Sequence, residues 1–203
     1  KLIKYQKRGE LMNIILASGS PRRREILANT NAKFDVLTSD VDERIFKFEE
    51  PTQLVLRLAF EKCMDIAINN PESLVIGADT IVVLDNEILG KPKNEDEAFD
   101  MLSKLSNREH QVITGMSIVN IENNKKIVDY TISNVKFKNL TDQDIRDYIS
   151  TGECLDKAGS YGIQGYGALL VKEIQGDYFN IVGLPISKLS DILKANFNIN
   201  LFL

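Results

Sequence analysis

The sequence feature that most constrains this chain is a carboxylate inside an apolar run. Asp79 lies within the run from Leu74 to Leu84, with aliphatic residues on both sides of it. The apolar flanks predict a buried strand. Because a buried carboxylate is costly unless it is paired, hydrogen-bonded or bound to a metal, the run favours a functional role for Asp79. The competing interpretation is an aspartate that caps a strand end or a turn.

Length and charge limit the classes of partner. The 203 residues fit one ordinary domain or two small lobes that share a core. With 25 Lys and Arg against 29 Asp and Glu, the net charge is −4, which argues against binding along a nucleic-acid backbone or an anionic membrane. No apolar run approaches the roughly 20 residues of a membrane span. We therefore expect neither a nucleic-acid polymer nor a membrane as a partner, and an anionic ligand would need a local basic pocket.

Cysteine and histidine usage narrows the chemistry and the compartment. His110 is the single histidine of the sequence, which excludes His-rich zinc sites. Cys63 and Cys154 form no C-x-x-C motif and cannot make a disulfide framework. A reducing cytoplasm is the compartment that this usage predicts.

The first eleven residues differ in character from the rest of the chain. They are basic and polar without the apolar segment of a secretory signal, and Met12 is a plausible original start. We interpret residues 1–11 as a leader or non-native extension and residues 12–203 as a single domain.

Helical and strand-like patterns alternate along the chain, which predicts an α/β class with a mixed sheet. The predicted strands are 13–17, 34–38, 73–84, 87–89, 111–121, 126–137 and 168–174. The predicted helices are 22–29, 52–69, one that follows the Asn94 cap, one capped by Thr141 that reaches about 149, and 185–195.

A small-residue loop after the first predicted strand is the first candidate binding motif. The segment from Ser18 to Arg23 reads Ser-Gly-Ser-Pro-Arg-Arg, with Ser20 as a predicted N-cap and Pro21 at the first helical position. Backbone N–H groups and the helix dipole suit a phosphate there, and arginine offers matching paired donors. A capped helix with a solvated arginine face is equally consistent with this segment.

Two further segments carry candidate side chains. The acidic run Asp40-Val41-Asp42-Glu43 follows a predicted strand and can supply oxygen ligands to Mg²⁺ or Mn²⁺, although such runs are more often solvated loops. The glycine-rich segment 156–167 contains Gln164, whose amide is both a donor and an acceptor, as recognition of a base edge requires. The alternative for that segment is a long structural loop. Lys62 and Lys91, taken alone, are ordinary surface lysines.

Six short motifs together resemble the Maf family. They are Leu-Ala-Ser-Gly-Ser-Pro-Arg-Arg at 16–23, Gly-Ala-Asp-Thr at 77–80, Leu-Gly-Lys-Pro at 89–92, Asp-Lys-Ala-Gly at 156–159, Tyr-Gly-Ile-Gln-Gly at 161–165 and Val-Gly-Leu-Pro at 182–185. Their order and spacing fit nearly the whole chain from Met12 onward. The resemblance implies an inosine-triphosphatase-like fold with a mixed sheet and two lobes around a central cleft, and it makes a homodimer plausible.

The resemblance also implies a reaction, which is hydrolysis of a nucleoside triphosphate to the monophosphate and pyrophosphate with a divalent metal, Mg²⁺ or Mn²⁺. Asp79 looks like the family's catalytic proton acceptor. Arg22, Thr80 and Gln164 look like the positions associated with the choice of base, in a combination similar to the branch that acts on dTTP and UTP. The further positions that match the lining of the cleft are Ser18, Arg23, Glu43, Lys62 and Lys91.

These positions give a hypothesis about roles. Asp79 and Glu43 would share metal binding and water activation, with the identity of the general base left open. The residues expected to bind the triphosphate are Arg22, Arg23, Lys62 and Lys91. Two alternatives are a nucleotide-binding regulator of cell division without catalysis and a house-cleaning enzyme for purine triphosphates such as ITP.

Overall fold

The structure, a computed structural model, describes residues 5–7 and 10–203, with side chains from Met12 onward. The chain divides into two compact units. Unit 1 consists of the described residues up to Asp79 together with Thr114–Tyr130 and Gly183–Leu203, and unit 2 consists of Thr80–Ile113 and Thr131–Val182. The prediction of two lobes is thus confirmed by two units.

The strands form two sheets within the described residues. Their bounds are β1 Tyr5–Lys7, β2 Glu10–Met12, β3 Ile14–Ala17, β4 Phe34–Leu37, β5 Leu74–Leu84, β6 Glu87–Leu89, β7 Glu109–Asn120, β8 Lys125–Phe137 and β9 Val171–Gln175. Strands β1 and β2 form an antiparallel pair, and the remaining strands form a seven-stranded sheet with the order β4-β3-β5-β7-β8-β9, in which β6 pairs with β5.

Parallel and antiparallel pairs occur together in the larger sheet. Strand β3 runs parallel to both β4 and β5, whereas β6 is antiparallel to β5 and β9 is antiparallel to β8. The connection from β7 to β8 spans only residues 121–124, which is too short for a parallel crossover. The predicted mixed α/β class is confirmed.

The helices lie between the strands in sequence. Their bounds are α1 Pro21–Ala28, α2 Pro51–Ala67, α3 Glu95–Leu105, α4 Asp142–Ser150, α5 Tyr178–Val182 and α6 Ile186–Phe197, with 3₁₀ helices at Ala158–Ser160 and Gly165–Leu170. In the described part of the chain, each helix is too short or too polar to span a bilayer.

The core of unit 1 forms where α2 packs on the sheet. Two glycines permit a close approach of this helix. A Cβ atom at Gly77 of β5 would lie 2.6 Å from the carbonyl oxygen of Ala59, and one at Gly115 of β7 would overlap the carbonyl of Val55. The buried side chains of this cluster are Ile15, Ala17, Cys63, Ile66, Ala67, Val75 and Val119.

Unit 2 contains a buried aromatic cluster and two capped helices. The rings of His110, Phe137 and Tyr161 meet edge to face, with centroids 4.7–5.4 Å apart. The predicted cap Thr141 forms a capping box with Asp144 at the start of α4. Asn94 accepts from the backbone N–H of Glu97 at the start of α3, as predicted.

Several sequence expectations require correction. Ser20 occupies the N-cap of α1 but its side chain makes no capping hydrogen bond, and the Ser18 hydroxyl accepts from the Ser20 N–H instead. The strand predicted at 168–174 begins only at Val171, because a 3₁₀ helix occupies the preceding residues. Helix α5 is absent from the predictions because it has only five residues.

The predicted leader is only partly described. Residues 1–4, 8 and 9 lie outside the described residues, and the backbone at 5–7 and 10–11 belongs to the β1–β2 pair. The boundary between residues 11 and 12 stays a prediction.

Candidate active site

The carboxylate of Asp79 lies in a buried cluster of opposite charges in unit 1. Lys62 Nζ is 2.7 Å from Asp79 Oδ1 and 2.5 Å from Glu43 Oε1. Lys62 and Asp79 are 8% and 7% exposed, whereas the Glu43 side chain is half exposed. The partner that Asp79 requires is therefore an ammonium group. The interpretation of Lys62 as a surface lysine is wrong, because α2 carries it into the interior.

Regular elements fix the geometry of this pair. Ala17, the last residue of β3, pairs with Gly77 in the parallel strand β5, so Asp79 lies two residues beyond the end of the β3 pairing. Because Gly77 has no side chain, α2 approaches β5 closely enough for Lys62 to reach Asp79. Ligands of open α/β sheets bind at the carboxyl ends of such parallel strands.

Ser18 and Arg23 belong to the same end of the sheet in unit 1. Arg23 Nη1 donates to Ser18 Oγ at 3.3 Å, and Arg23 Nε donates to the carbonyl of Gly183 at 2.8 Å. This contact joins the motif at 16–23 to the motif at 182–185. Arg23 and Arg22, which precedes it on α1, are both partly buried.

The charges of the cluster act on Arg23. Burial lowers the pKa of Arg23, while the negative charges of Asp79 and Glu43 oppose that lowering and the neighbouring charge of Arg22 adds to it. Two carboxylates thus act electrostatically on two cations, Lys62 and Arg23. An arrangement of this kind can bind phosphate groups and position water near them.

The loop that carries Glu43 is held by a residue that sequence reasoning missed. Arg57 of α2 donates to both carboxylate oxygens of Glu49, at 2.6 and 2.8 Å, and to the carbonyl of Arg44 at 2.9 Å. The hydrogen bond from Arg57 lowers the pKa of Glu49. An arginine among the apolar residues of α2 gave no signal of this role, because its partners follow Glu43 in a loop without regular pattern.

The capacity of the site for a metal rests on two carboxylates. Within residues 5–7 and 10–203, no three His, Cys, Asp or Glu side chains converge as a metal site. Asp79 and Glu43 converge on Lys62 Nζ. Mg²⁺ commonly takes one or two protein carboxylates and completes its octahedron with phosphate oxygens and water, so this donor set fits a metal that arrives with a nucleotide.

The remaining predicted site residues lie in unit 2. Thr80 follows Asp79 on β5 and is partly exposed. Lys91 is exposed after β6 and lines a pocket of about 570 Å³ together with Glu87, Glu97 and Asp100. Its loop is tied to the glycine-rich segment, since the N–H of Gly159 donates to the carbonyl of Gly90 at 3.0 Å.

Gln164 is exposed at the start of the second 3₁₀ helix. It occupies the N-cap position, but its side chain makes no capping hydrogen bond. The glycine-rich segment around it is neither a strand nor an open loop, because two 3₁₀ helices and several side-chain contacts from unit 2 order it.

Comparison with known proteins identifies the family. The model of a family described as Maf-like protein matches residues 13–196. The chain belongs to the Maf family. A protein of Clostridioides difficile (strain 630) named dTTP/UTP pyrophosphatase is 66% identical over 191 residues, which cover 94% of this chain and 98% of that protein. A Caldanaerobacter subterraneus protein of the same name is 51% identical over 189 residues, or 93% of this chain and 91% of that protein.

Solved structures give a weaker likeness. A Ham1 protein from Coxiella burnetii aligns with a TM-score of 0.46 and 13% identity, over 64% of this chain and 75% of that chain. The Staphylococcus aureus Ham1 protein aligns with a TM-score of 0.42 and 18% identity, over 62% of this chain and 71% of that chain.

Proposed function

We propose that this Maf-family chain hydrolyses nucleoside triphosphates, with dTTP and UTP as substrates, to the monophosphate and pyrophosphate. The observation that carries the proposal is the buried ion pair of Lys62 and Asp79, at 2.7 Å, with Glu43 on the same ammonium. A carboxylate in an apolar strand is costly, and a protein that only binds its ligand has no need to keep one. The names of the two relatives support the choice of substrates.

The residues of unit 1 are proposed to act on the phosphates. Arg22, Arg23 and Lys62 bind triphosphate oxygens, for which guanidinium and ammonium groups are suited. Asp79 and Glu43 would hold a divalent cation, and they orient or deprotonate the attacking water. When bound, a divalent cation, Mg²⁺ or Mn²⁺, supplies neutralisation of the phosphate charge. Displacement of Lys62 from the carboxylates by phosphate would leave their oxygens available for that cation.

The residues of unit 2 are proposed to complete substrate binding. Lys91 binds phosphate, and Thr80 and Gln164 take part in the choice of base, a role that the family resemblance also gives to Arg22 of unit 1. The amide of Gln164 can donate to one edge atom of a pyrimidine and accept from another. Its exposed position and the absence of a capping hydrogen bond from its side chain support this role.

The compartment and assembly belong to the same proposal. Cys63 and Cys154 are both free and buried, which supports action in the reducing cytoplasm. A homodimer is the assembly that the family resemblance implies. Light scattering at micromolar concentration would test it, with a monomer mass of 22.9 kDa contradicting it.

One assay tests the function. The protein is incubated with dTTP, UTP, dCTP, GTP and ITP in Mg²⁺ or Mn²⁺, and pyrophosphate is measured. We expect release from dTTP and UTP above the others and loss of release on addition of a chelator. Binding of nucleotides without release would favour the regulator, and a preference for ITP would favour the purine house-cleaning alternative.

A further inference from the structure

The segment that carries Gln164 is held in place by side chains from outside it. Glu153 Oε1 accepts from the backbone N–H of Tyr166 at 3.2 Å, and Glu153 Oε2 accepts from the N–H of Gly167 at 3.3 Å. Both N–H groups belong to the first turn of the 3₁₀ helix Gly165–Leu170. One carboxylate thus satisfies two successive donors at the start of this helix.

The fit between the carboxylate and the helix start is close. Gly165 has φ +65°, and a Cβ atom there would overlap Glu153 Oε1. The left-handed φ favours glycine at this position, and the Glu153 carboxylate fills the space that a side chain would take. The carboxylate therefore packs directly against the residue that follows Gln164.

The contacts of Glu153 complement the position of Gln164. Gln164 is the N-cap of this helix, the position whose side chain normally accepts from the first turn, yet it makes no such hydrogen bond. Glu153 supplies the acceptors from a distant position. The amide of Gln164 consequently does not serve as the cap, and its backbone is fixed between Ile163 and the tethered turn.

Two other residues support this arrangement. Tyr148 Oη accepts from the Gly162 N–H at 3.3 Å. Lys157 packs its aliphatic part against Gly162, and its ammonium group donates to the backbone carbonyl of Glu153 and to Asp156 Oδ1. The backbone at Glu153 is therefore anchored close to the segment that its carboxylate contacts.

We propose that Glu153 is a positioning residue that fixes Gln164 and, through it, the choice of base. This inference rests on the proposed function, in which Gln164 contacts the base. Its physical reason is that an ionised carboxylate is a stronger acceptor for backbone N–H groups than a neutral amide, so it holds the turn in one geometry. Small displacements of a substrate-contacting group are enough to reduce turnover strongly.

The test compares Glu153→Gln, Gln164→Ala and the double variant with the wild type, using kcat/KM for dTTP and for dCTP. These nucleotides share the sugar and triphosphate and differ in the base edge. In E153Q the side-chain amide presents an NH₂ group to one of the two backbone donors. We expect the preference for dTTP to fall about 10- to 100-fold in E153Q and in Q164A alike, mainly through a higher KM for dTTP.

The double variant separates positioning from a structural role. If Glu153 acts through Gln164, E153Q adds nothing to the loss of preference in the Q164A background. Asp144→Asn is the matched control, since Asp144 is also a carboxylate that accepts from a backbone N–H at a helix start in unit 2. We expect D144N to keep the wild-type preference. Additive effects, or an unchanged preference in E153Q when Q164A loses it, would overturn the inference.

Two further measurements distinguish failure of the positioning role of Glu153 from failure of the proposed function. If E153Q does not fold, Glu153→Asp keeps the charge but withdraws the oxygens by one methylene, and we expect an intermediate loss of preference. A wild type that releases no pyrophosphate from either nucleotide would contradict the proposed function alone. The preference is then measured as the ratio of calorimetric Kd values, and an unchanged ratio in E153Q would overturn the positioning role.

Discussion

The charge cluster of unit 1 and the glycine-rich segment of unit 2 are fixed by different means. Lys62 and Asp79 are buried on a helix and a strand whose approach is set by backbone packing. Gln164 is exposed, and its segment is held by hydrogen bonds that its backbone N–H groups donate to Glu153 and Tyr148. Under the proposed function, the groups for charge chemistry lie on rigid elements, whereas the group proposed to recognise the base lies on an ordered loop.

The largest stability effect is expected from breaking the ion pair of unit 1. Lys62→Met leaves Asp79 buried without its ammonium partner, which we expect to lower the free energy of unfolding by about 3–5 kcal/mol. Urea denaturation measures this loss. The control is K62M combined with Asp79→Asn, which removes the buried charge and should recover part of the stability. Equal stability of K62M and the wild type would contradict the assignment of the Lys62–Asp79 pair as a stabilising element of unit 1.

In unit 2, we expect a loss in the free energy of unfolding that depends on pH. His110 Nε2 is 2.7 Å from the Tyr161 hydroxyl at the start of the glycine-rich motif, and burial lowers the pKa of His110 to about 4. As pH falls, His110 therefore takes up a proton in the unfolded chain at a higher pH than it does in the folded chain. The stability contribution of neutral His110 is complete above about pH 6.5 and is lost toward pH 4, by about 3 kcal/mol.

The measurement is the free energy of unfolding between pH 4 and 7 for the wild type and His110→Gln. The variant keeps a polar partner for Tyr161 but does not titrate, so we expect its stability to change less over this range. Carboxylates that titrate in both proteins cancel in the difference. Parallel pH curves would contradict the contribution assigned to His110.

A smaller effect is expected from altering the packing that places Lys62. In Gly77→Ala the added Cβ would lie 2.6 Å from the carbonyl oxygen of Ala59, so α2 must shift away from β5. We expect a loss of about 1–3 kcal/mol in the free energy of unfolding. Gly90→Ala is the matched control, because a Cβ there meets no atom within 4 Å. An unfolding temperature that is unchanged in G77A would contradict the close packing of α2 on β5 at Gly77.

Part of the site follows from the sequence and part does not. That Asp79 needs a polar partner follows from its apolar neighbours alone. That the partner is Lys62 does not, because the contact depends on how α2 packs over β5, and helical periodicity alone did not predict a buried lysine. The resemblance to the Maf family singled out Lys62, but the pairing became evident only in the structure.

The structure of the glycine-rich segment was less predictable than the need of Asp79 for a polar partner. Its glycines indicated tight turns, and Gly159 and Gly165 indeed have positive φ. Glu153 gave no sequence signal of its contact, because a lone acidic residue before the motif is typical of a solvated loop. The 3₁₀ helix at 165–170 was missed because its side chains are mostly apolar and resemble the start of the strand that follows.

The most direct measurement is pyrophosphate release from dTTP and dCTP by the wild type and Asp79→Asn, with circular dichroism to verify the fold. If Asp79 acts on the phosphates and Gln164 on the base, D79N lowers kcat about 10²- to 10⁴-fold on both nucleotides and keeps the preference for dTTP. Near-wild-type turnover by folded D79N, or a changed preference with unchanged kcat, would contradict this division of roles.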